Sequence, residues 1–564
     1  MFDIASLVTK GVTYVKTNLL ALVLMGGIVL FIWWKQLIAG QADSIVCVKD
    51  DKKTPAPAQQ VTLAALTRRA LVSPSVLLKE AASLGTYHVK WLFAAPLVVA
   101  SDPNTVNVVL SDKFIANRVV VNHTAKGVMA TNGETHAKQH SLLVSIFQDP
   151  SLTASLIDHL HARLASETFP EFNEAIAQKD TLDLCPVFEE LWVDVISLWV
   201  LGLDATGTVA NAKEEIERRE KVVEARRCLA NLTFVLPTGI AWYFDIIRNY
   251  VQYSEYLMLP GSRDYLVRRN GKTKARNIIN FEYGTMAKEF RESGKKRGGL
   301  AGKLLDAKLA ALPEGQTDLS DAEWEDLFEQ LEAVQTAAQS PLYSLTPHIL
   351  YLLAHSPTHQ KQIYQELSKV TAKQITKTHV QSLPSLTSFT LETLRLLPPF
   401  VTTYNRVSPE NAYRLPGQWM LPKSTHIVVD LLSTLRNTTA FGEGASAFQP
   451  ERFNGRKYTP TTAETPAETS HRVKDALKLS APVFETTYYP FSAGPFACPG
   501  QQIALDVVKV CVAEIVRRYE VVAGKGREGV DVGAVVKGME EFGSEQGGVL
   551  RHLEGCPVLI KKRK

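Results

Sequence analysis

A short stretch rich in glycine and proline, followed at once by an amphipathic pattern, constrains this chain more than any other feature. Five glycine and proline residues lie between positions 490 and 500, and they surround one cysteine, Cys498. Such a density argues against regular structure before residue 500. From Gln501 onward apolar residues recur at helical spacing up to Val516. The sequence therefore predicts a cysteine in a constrained loop that leads into the N-terminus of a helix.

The chemistry expected of Cys498 follows from this position. Loop amides and the positive end of a helix dipole favour a thiolate, and a thiolate binds a soft metal or haem iron. The other five cysteines are scattered, without CxxC or paired zinc-ligand spacing. A secreted disulfide scaffold is denser in cysteine, so a reduced compartment is the simpler interpretation.

The loop resembles the haem-binding loop of the cytochrome P450 family, whose pattern is Phe-x-x-Gly-x-Arg-x-Cys-x-Gly. Phe491, Gly494, Cys498 and Gly500 match four of its five named positions. The resemblance implies that Cys498 is a catalytic residue and the axial ligand to the iron of haem b. Phe496 stands where the family usually has an arginine that contacts a haem propionate. The propionates must therefore be neutralised differently in this chain.

Two further motifs extend the resemblance over about residues 60 to 564. Glu392 and Arg395 are three positions apart, share a helix face and can form an ion pair. They lie about 100 residues before Cys498 and resemble the Glu-x-x-Arg motif that locks the family's core beneath the haem. Arg452, in a segment that resembles the family's Pro-Glu-Arg-Phe element, would join that network.

Three residues are expected to contact the haem propionates. Arg406 aligns with a family arginine in that role. His136 and His140 share a helix face at a spacing of four, in a segment that resembles the family's C helix. A structural or merely exposed histidine pair remains the alternative.

The helix that activates oxygen departs from the family's pattern Ala-Gly-x-Asp/Glu-Thr. Aligned from the segment at 351–357, Ser340 takes the position of the acid and Pro341 that of the threonine. Proline kinks a helix and cannot donate a proton. Ser340 or Gln339 is therefore expected to orient a water in the catalytic site instead. Thr336 is another candidate donor, but it requires a shift of five residues.

The N-terminus contains a candidate membrane anchor. Residues 17–34 carry no charge and would span about 27 Å as a helix, which is close to the thickness of the bilayer hydrocarbon. Trp33 and Trp34 lie at its edge, as interfacial aromatic residues do. A cleaved signal peptide is the alternative, but the apolar run is long and no clear cleavage site follows it.

These features predict a domain order and a topology. A lumenal segment (1–16) precedes a single transmembrane anchor (17–38), a linker (39–60) and a haem-thiolate catalytic domain (61–564). Two basic residues precede the apolar run and four follow it, which places the catalytic domain in the cytosol.

The fold is expected to be mainly α with small β-sheets, the cytochrome P450 fold, preceded by one transmembrane helix. Strand or hairpin structure is predicted at 86–103, with further strands at 426–431 and 558–560. The net charge of +4 is small and no long basic run occurs, which argues against a nucleic-acid partner. Helices are predicted at 141–147, 187–203, 318–339 and 360–370.

Three functions are compatible with the sequence. The first is a monooxygenase of a lipophilic small molecule in the endoplasmic reticulum membrane, which takes electrons from NADPH through a membrane reductase, in fungal secondary metabolism. The second is a haem-thiolate isomerase, dehydratase or oxidative-coupling enzyme with atypical oxygen activation, which Pro341 favours. The third is a non-enzymatic haem-binding or membrane scaffold protein, in which Phe496 and Pro341 would be marks of decay.

Overall fold

The computed structural model describes most of the chain after residue 126 and shorter pieces before it. The predicted anchor at 17–38 lies outside the described residues. Within the part that is described, no helix is long and apolar enough to cross a membrane. The described residues are 46–49, 52–55, 58–60, 86–90, 97–110, 116–117, 127–203, 212–230, 263–407, 413–415, 419–421, 425–454, 488–546, 549–552 and 555–563.

Helices form most of this part of the chain, as the sequence predicts. Short 3₁₀ turns at 127–129, 450–453 and 494–496 and one π-helical turn at 164–168 connect them. In chain order the helices are α1 (Pro103–Leu110), α2 (Gly133–Phe147), α3 (Pro150–Arg163), α4 (Phe169–Gln178), α5 (Leu184–Leu201), α6 (Ala212–Ala230), α7 (Arg263–Ser293), α8 (Gly299–Ala310), α9 (Asp321–Ala354), α10 (Pro357–Leu367), α11 (Lys377–Gln381), α12 (Pro384–Leu396), α13 (Leu431–Thr434), α14 (Thr438–Phe441), α15 (Gln501–Arg518) and α16 (Val532–Phe542).

The strands of the described residues are short. They are β1 (Val46–Lys49), β2 (Lys52–Pro55), β3 (Ala58–Gln60), β4 (Tyr87–Lys90), β5 (Leu97–Ala100), β6 (Ala116–Asn117), β7 (Leu182–Asp183), β8 (Thr402–Val407), β9 (Tyr413–Leu415), β10 (Trp419–Leu421), β11 (His426–Asp430), β12 (Tyr519–Ala523), β13 (Gly543–Gln546), β14 (Val549–His552) and β15 (Pro557–Lys562). In this part of the chain they form four small sheets, with the orders β2-β1-β10-β9, β3-β4-β5-β11-β8-β6, β12-β15-β7 and β13-β14. Pairing is antiparallel except between β3 and β4 and between β5 and β11.

The described part of the predicted linker contains short strands. Strand β1 pairs with β10, and β3 pairs with β4, so residues 46–49 and 58–60 contribute to two sheets. The charged run and the prolines of this segment indicated a linker between anchor and catalytic domain, which stays a prediction. Its partners lie far away in sequence, and a local pattern carries no information about such pairing.

Helices α5 and α9 form the centre of the core. Almost every side chain of α5 is buried, which is typical of a helix that is apolar all round. The indole of Trp192 in α5 donates a hydrogen bond to Thr346 in α9 over 2.9 Å. A buried tryptophan usually finds such a partner for its N–H. This contact fixes the rotation of α9, and with it the face that α9 presents to the site.

Helix α9 is longer than the sequence suggests. It begins at a capping box formed by Ser320 and Glu323, and it continues through Pro341 and Pro347 to Ala354. Proline at position 341 was expected to bend or end this helix. The second half is buried on nearly every side, so tertiary packing holds the helical path across both prolines. The helix continues even though each proline removes one backbone donor.

Candidate active site

The cysteine loop adopts a compact backbone that its glycines permit. Gly494 has a φ of 71°, a left-handed conformation that strains other residues, and it begins the turn before Cys498. The N–H of Cys498 donates to the carbonyl of Phe491 over 3.0 Å, which closes the loop. Gly500 lies beside the sulfur, since a Cβ placed there would be 4.0 Å from Sγ. Helix α15 then begins at Gln501, as predicted.

Desolvation by the surrounding protein affects the Cys498 thiol. It raises the pKa of the thiol to about 11, although a backbone hydrogen bond from Gly500 acts in the opposite direction. Desolvation thus opposes the stabilisation of the thiolate that is expected from loop amides and the helix dipole. A metal ion bound at the sulfur would favour the thiolate, because a metal ion deprotonates a coordinating thiol.

A fully buried ion pair lies beneath the loop. Arg395 and Glu392 in α12 are both 0% exposed and pair through two bonds of 2.8 Å. The remaining N–H groups of Arg395 donate to the backbone carbonyls of Leu435, Ala445 and Ala447. Every donor of the guanidinium is thus satisfied, as a buried charge requires.

Arg452 joins this ion pair from the 3₁₀ turn at 450–453. Its Nε lies 3.5 Å from Oε1 of Glu392, and its terminal nitrogens donate to the carbonyls of Phe441 and Gly444. Burial lowers the pKa of Arg452. The structure therefore brings together the three residues that the sequence assigned to one network.

Two tyrosines attach the cysteine loop to its surroundings. Tyr488 donates to the carbonyl of Leu391, one residue before Glu392, and its ring packs on Phe453. Tyr489 hydrogen-bonds to Asn107 in α1. Sequence reasoning missed both tyrosines, because they precede the motif and no spacing rule marks them.

The predicted histidine pair holds the cysteine loop from helix α2. His136 is buried, and its Nε2 lies 3.2 Å from the carbonyl oxygen of Pro495. His140 Nε2 lies 2.8 Å from the carbonyl oxygen of Ala497, next to Cys498. The sequence placed both histidines opposite haem propionates, whereas these ring nitrogens meet backbone oxygens of the loop. Phe496, in the arginine position, packs on the His136 ring at 4.6 Å between centroids.

A chain of hydrogen bonds connects the cysteine loop to helix α9. Nδ1 of His136 lies 3.0 Å from the carbonyl oxygen of Val128. The N–H of Val128 donates in turn to Oε1 of Gln330 in α9 over 3.1 Å. The path from Gln330 through Val128 and His136 to Pro495 fixes α9 relative to the loop. Gln330 was also missed from sequence, because its partner is about 200 residues away.

The two residues proposed to orient water lie on different faces of α9. Gln339 is buried, and its Oε1 accepts a hydrogen bond of 3.0 Å from Gln335, which also donates to Ser197 in α5. Ser340 lies one position further round the helix and shares a face with Ser344. Ser344 donates to the carbonyl of Leu550 in β14, so this face is directed away from α5.

Helix α9 is more exposed around Ala337 than further along. Ala337 is exposed and Pro341, one turn later, is half-exposed, whereas Ser340 between them is buried. Pro341 has no N–H, so the carbonyl of Ala337 lacks its helical donor. A water can therefore donate a hydrogen bond to this carbonyl.

Arg406 lies in strand β8, where its partners across the ladder are His426 of β11 and Asn117 of β6. Its predicted contact with a propionate stays a prediction.

These residues fit a haem. Cys498 is partly exposed, so its thiol could hold the iron, and Ala337, Ala338 and Ser340 of α9 have small side chains. The class of protein that this arrangement defines is a haem-thiolate enzyme, in which a cysteine sulfur is the axial ligand.

Comparison with known proteins identifies the family. The cytochrome P450 family profile matches residues 79–533. Cytochrome P450 72A552 of Barbarea vulgaris is 23% identical over 461 residues, which are 80% of this chain and 79% of that protein. Cytochrome P450 monooxygenase alnD of Emericella nidulans is 31% identical over 177 residues, which are 31% of this chain and 28% of that protein.

A solved structure has the same fold. The crystal structure of the cytochrome P450DA heme domain superposes with a TM-score of 0.65 at 15% identity, and the match covers 91% of this chain and 98% of that one. The chain belongs to the cytochrome P450 family and is a monooxygenase-type oxidoreductase with a haem-thiolate iron. A non-enzymatic scaffold protein is thereby disfavoured.

The buried ion pair beneath the loop gives a stability prediction. Glu392→Gln leaves the buried Arg395 guanidinium without its countercharge, and we expect it to lower the free energy of unfolding by about 3–5 kcal/mol. Urea-induced unfolding of the purified protein measures this change. The matched control is Glu134→Gln, which removes an exposed partner of Lys138 at 2.8 Å and is expected to have no measurable effect. Equal stability of the two variants would contradict the role assigned to the pair.

Proposed function

We propose that this protein oxidises a lipophilic small molecule with dioxygen, using electrons from NADPH delivered by an NADPH-cytochrome reductase. The observation that carries this proposal is the cysteine loop. Cys498 lies at the start of α15, and α2 and α12 hold the loop from two sides. The bound haem supplies the redox chemistry, and the protein supplies orientation and proton delivery.

The histidines of α2 have a positioning role in this proposal. The family's usual arginine would bring a charge to the loop at position 496, where this chain has a phenylalanine. His136 and His140 instead bind the carbonyl oxygens of Pro495 and Ala497, which fixes the backbone on the N-terminal side of the sulfur. Contacts of His136, His140 and Arg406 with the propionates remain part of the proposal.

Ser340 is the residue best placed to orient the water that delivers protons. Its side chain is buried, and it lies one helical turn from the exposed Ala337, whose carbonyl has no helical donor because of Pro341. A hydroxyl and a carbonyl one turn apart together offer a water one donor and one acceptor. The Gln339 oxygen already accepts a hydrogen bond from Gln335 on the α5 side. Ser340 is therefore the better candidate to orient the water.

The cellular setting is proposed from the N-terminal sequence and the family. A lumenal segment (1–16), an anchor (17–38) and a linker (39–60) would attach the catalytic domain (61–564) to the cytosolic face of the endoplasmic reticulum. A natural-product pathway in a fungus is the setting we propose, supported by the partial likeness to the Emericella nidulans relative.

A second function is favoured by one residue. Pro341 replaces the alcohol that usually donates protons to oxygen, which would suit an isomerase, a dehydratase or an oxidative-coupling enzyme. An isomerase or dehydratase needs neither reductase nor external oxygen.

Isotopic oxygen distinguishes the two functions. The full chain is incubated in membranes with an NADPH-cytochrome reductase, NADPH, a panel of lipophilic substrates and ¹⁸O₂. We expect a product that contains one ¹⁸O atom and that disappears without NADPH, because a monooxygenase places one atom of dioxygen in its product. A product that forms without NADPH and contains no ¹⁸O would contradict the proposal and support the isomerase or dehydratase. A dehydrogenated dimer that requires NADPH and oxygen would indicate oxidative coupling.

Substitutions in α9 test the proton route. We expect Ser340→Ala to lower the fraction of NADPH electrons recovered in product by about tenfold or more, with a matching rise in hydrogen peroxide, because a positioned proton donor typically speeds proton transfer by about 10²–10⁴-fold. Ser340→Thr keeps the hydroxyl and should retain most of the coupling. The matched control Gln339→Ala alters the adjacent position on the α5 side and should leave coupling unchanged. Loss of coupling in Gln339→Ala alone would reverse the assignment.

A further inference from the structure

Two cysteines that are far apart in sequence meet where the C-terminal strand reaches the start of helix α5. Cys185 is the second residue of α5, and Cys556 directly precedes strand β15. Both are free thiols, and burial together with the neighbouring Cys185 thiol raises the pKa of Cys556. Neither residue contributes to the haem site described above.

The backbone holds this pair in place. The N–H groups of Cys185 and Cys556 both donate to Oδ1 of Asp183, over 3.1 Å and 2.8 Å. The N–H of Leu184 donates to the carbonyl of Cys556 over 3.2 Å, and the next residue, Pro557, pairs with Asp183 in the sheet. Two amides that donate to one oxygen hold the backbones of the two cysteines close together, and proximity of this kind is the first requirement of a disulfide.

The two thiols differ in access. Cys185 is half-exposed, whereas Cys556 is 0% exposed. A dissolved reagent therefore reaches Cys185 first, and Cys556 lies in contact behind it. Redox-sensitive cysteines are typically accessible to solvent and lie next to a second cysteine that can form a disulfide with them.

We propose that Cys185 and Cys556 form a reversible disulfide by exchange with a low-molecular-weight disulfide such as oxidised glutathione. The thiolate of Cys185 attacks one glutathione sulfur, which forms a mixed disulfide and releases one glutathione thiolate. Cys556 gives its proton to water and attacks Sγ of Cys185, which releases the second glutathione thiolate. Two protein thiols are oxidised, and one oxidised glutathione is reduced to two thiols.

The bond would join the C-terminal strand to the helix that packs along α9. It would close a loop that contains most of the catalytic domain, and a cross-link over a long loop restricts the unfolded chain strongly. The oxidised protein is therefore expected to unfold at a temperature a few degrees higher than the reduced protein. This proposal does not depend on the reaction that the enzyme catalyses.

A glutathione titration tests the proposal on the full-length, haem-loaded protein. Samples are equilibrated at increasing ratios of oxidised to reduced glutathione, unfolded in acid, alkylated with N-ethylmaleimide and digested. We expect a linked peptide pair that contains Cys185 and Cys556, lacks two hydrogen atoms and disappears with dithiothreitol. Cys511, buried in α15, should stay alkylated in the same samples and serves as an internal control.

Three outcomes would overturn the proposal. Cys185 and Cys556 could both stay alkylated at the most oxidising ratio, the reaction could stop at glutathione on Cys185, or either cysteine could join a different partner. In a Cys556→Ser variant that unfolds at the temperature of the reduced protein, we expect the reaction to stop at the mixed disulfide. A linked product of Cys185 in that variant would also contradict the assigned pair.

Discussion

The buried guanidinium of Arg395 is the interaction on which the haem side of this structure depends. Its donors are used by Glu392 and by three backbone carbonyls that belong to the segment between β11 and the 3₁₀ turn at 450–453. Glu392 also accepts from the N–H of Gln449, and Arg452 approaches it from the same turn. One ion pair therefore fixes a long irregular segment that has little regular secondary structure of its own. A buried pair of this kind contributes more to the uniqueness of the conformation than to net stability, since its desolvation offsets much of its attraction.

The cysteine loop contacts the helix that carries this ion pair, and helix α2 holds the loop from a second side. Tyr488 ties it to the helix of the ion pair, while His136 and His140 bind two of its carbonyl oxygens from α2. His136 also leads through Val128 to Gln330, so the same contacts set the position of α9 relative to the sulfur. The replacement of arginine by Phe496 is compensated in the packing, since its ring lies against His136. The loop thus keeps a defined backbone without the arginine that the family usually has.

Local patterns predicted the parts of the site that local physics determines. Glycine and proline density predicted the loop, apolar periodicity predicted α15, and a spacing of three predicted the Glu392–Arg395 pair. Contacts between distant segments were missed: the Val128–Gln330 bond, the Tyr488 anchor and the pairing of β1 with β10 have no local signature. The helical expectation ended at residue 339, whereas α9 continues through Pro341 to Ala354, because its second half is buried. Gln339 and Ser340 could not be separated from sequence, because the face of α9 is set by Trp192 and Ser197 of another helix.

The central claim is that the sulfur of Cys498 is the ligand of the haem iron. The carbon monoxide difference spectrum of the reduced, folded protein tests this ligation most directly, because a Soret band at about 450 nm requires a thiolate ligand. We predict this band in the unmodified protein and its loss in Cys498→Ala. The control Cys511→Ala removes a buried thiol of the neighbouring helix and should keep the band. Absence of the band from folded, haem-loaded protein, or its survival in Cys498→Ala, would contradict the account.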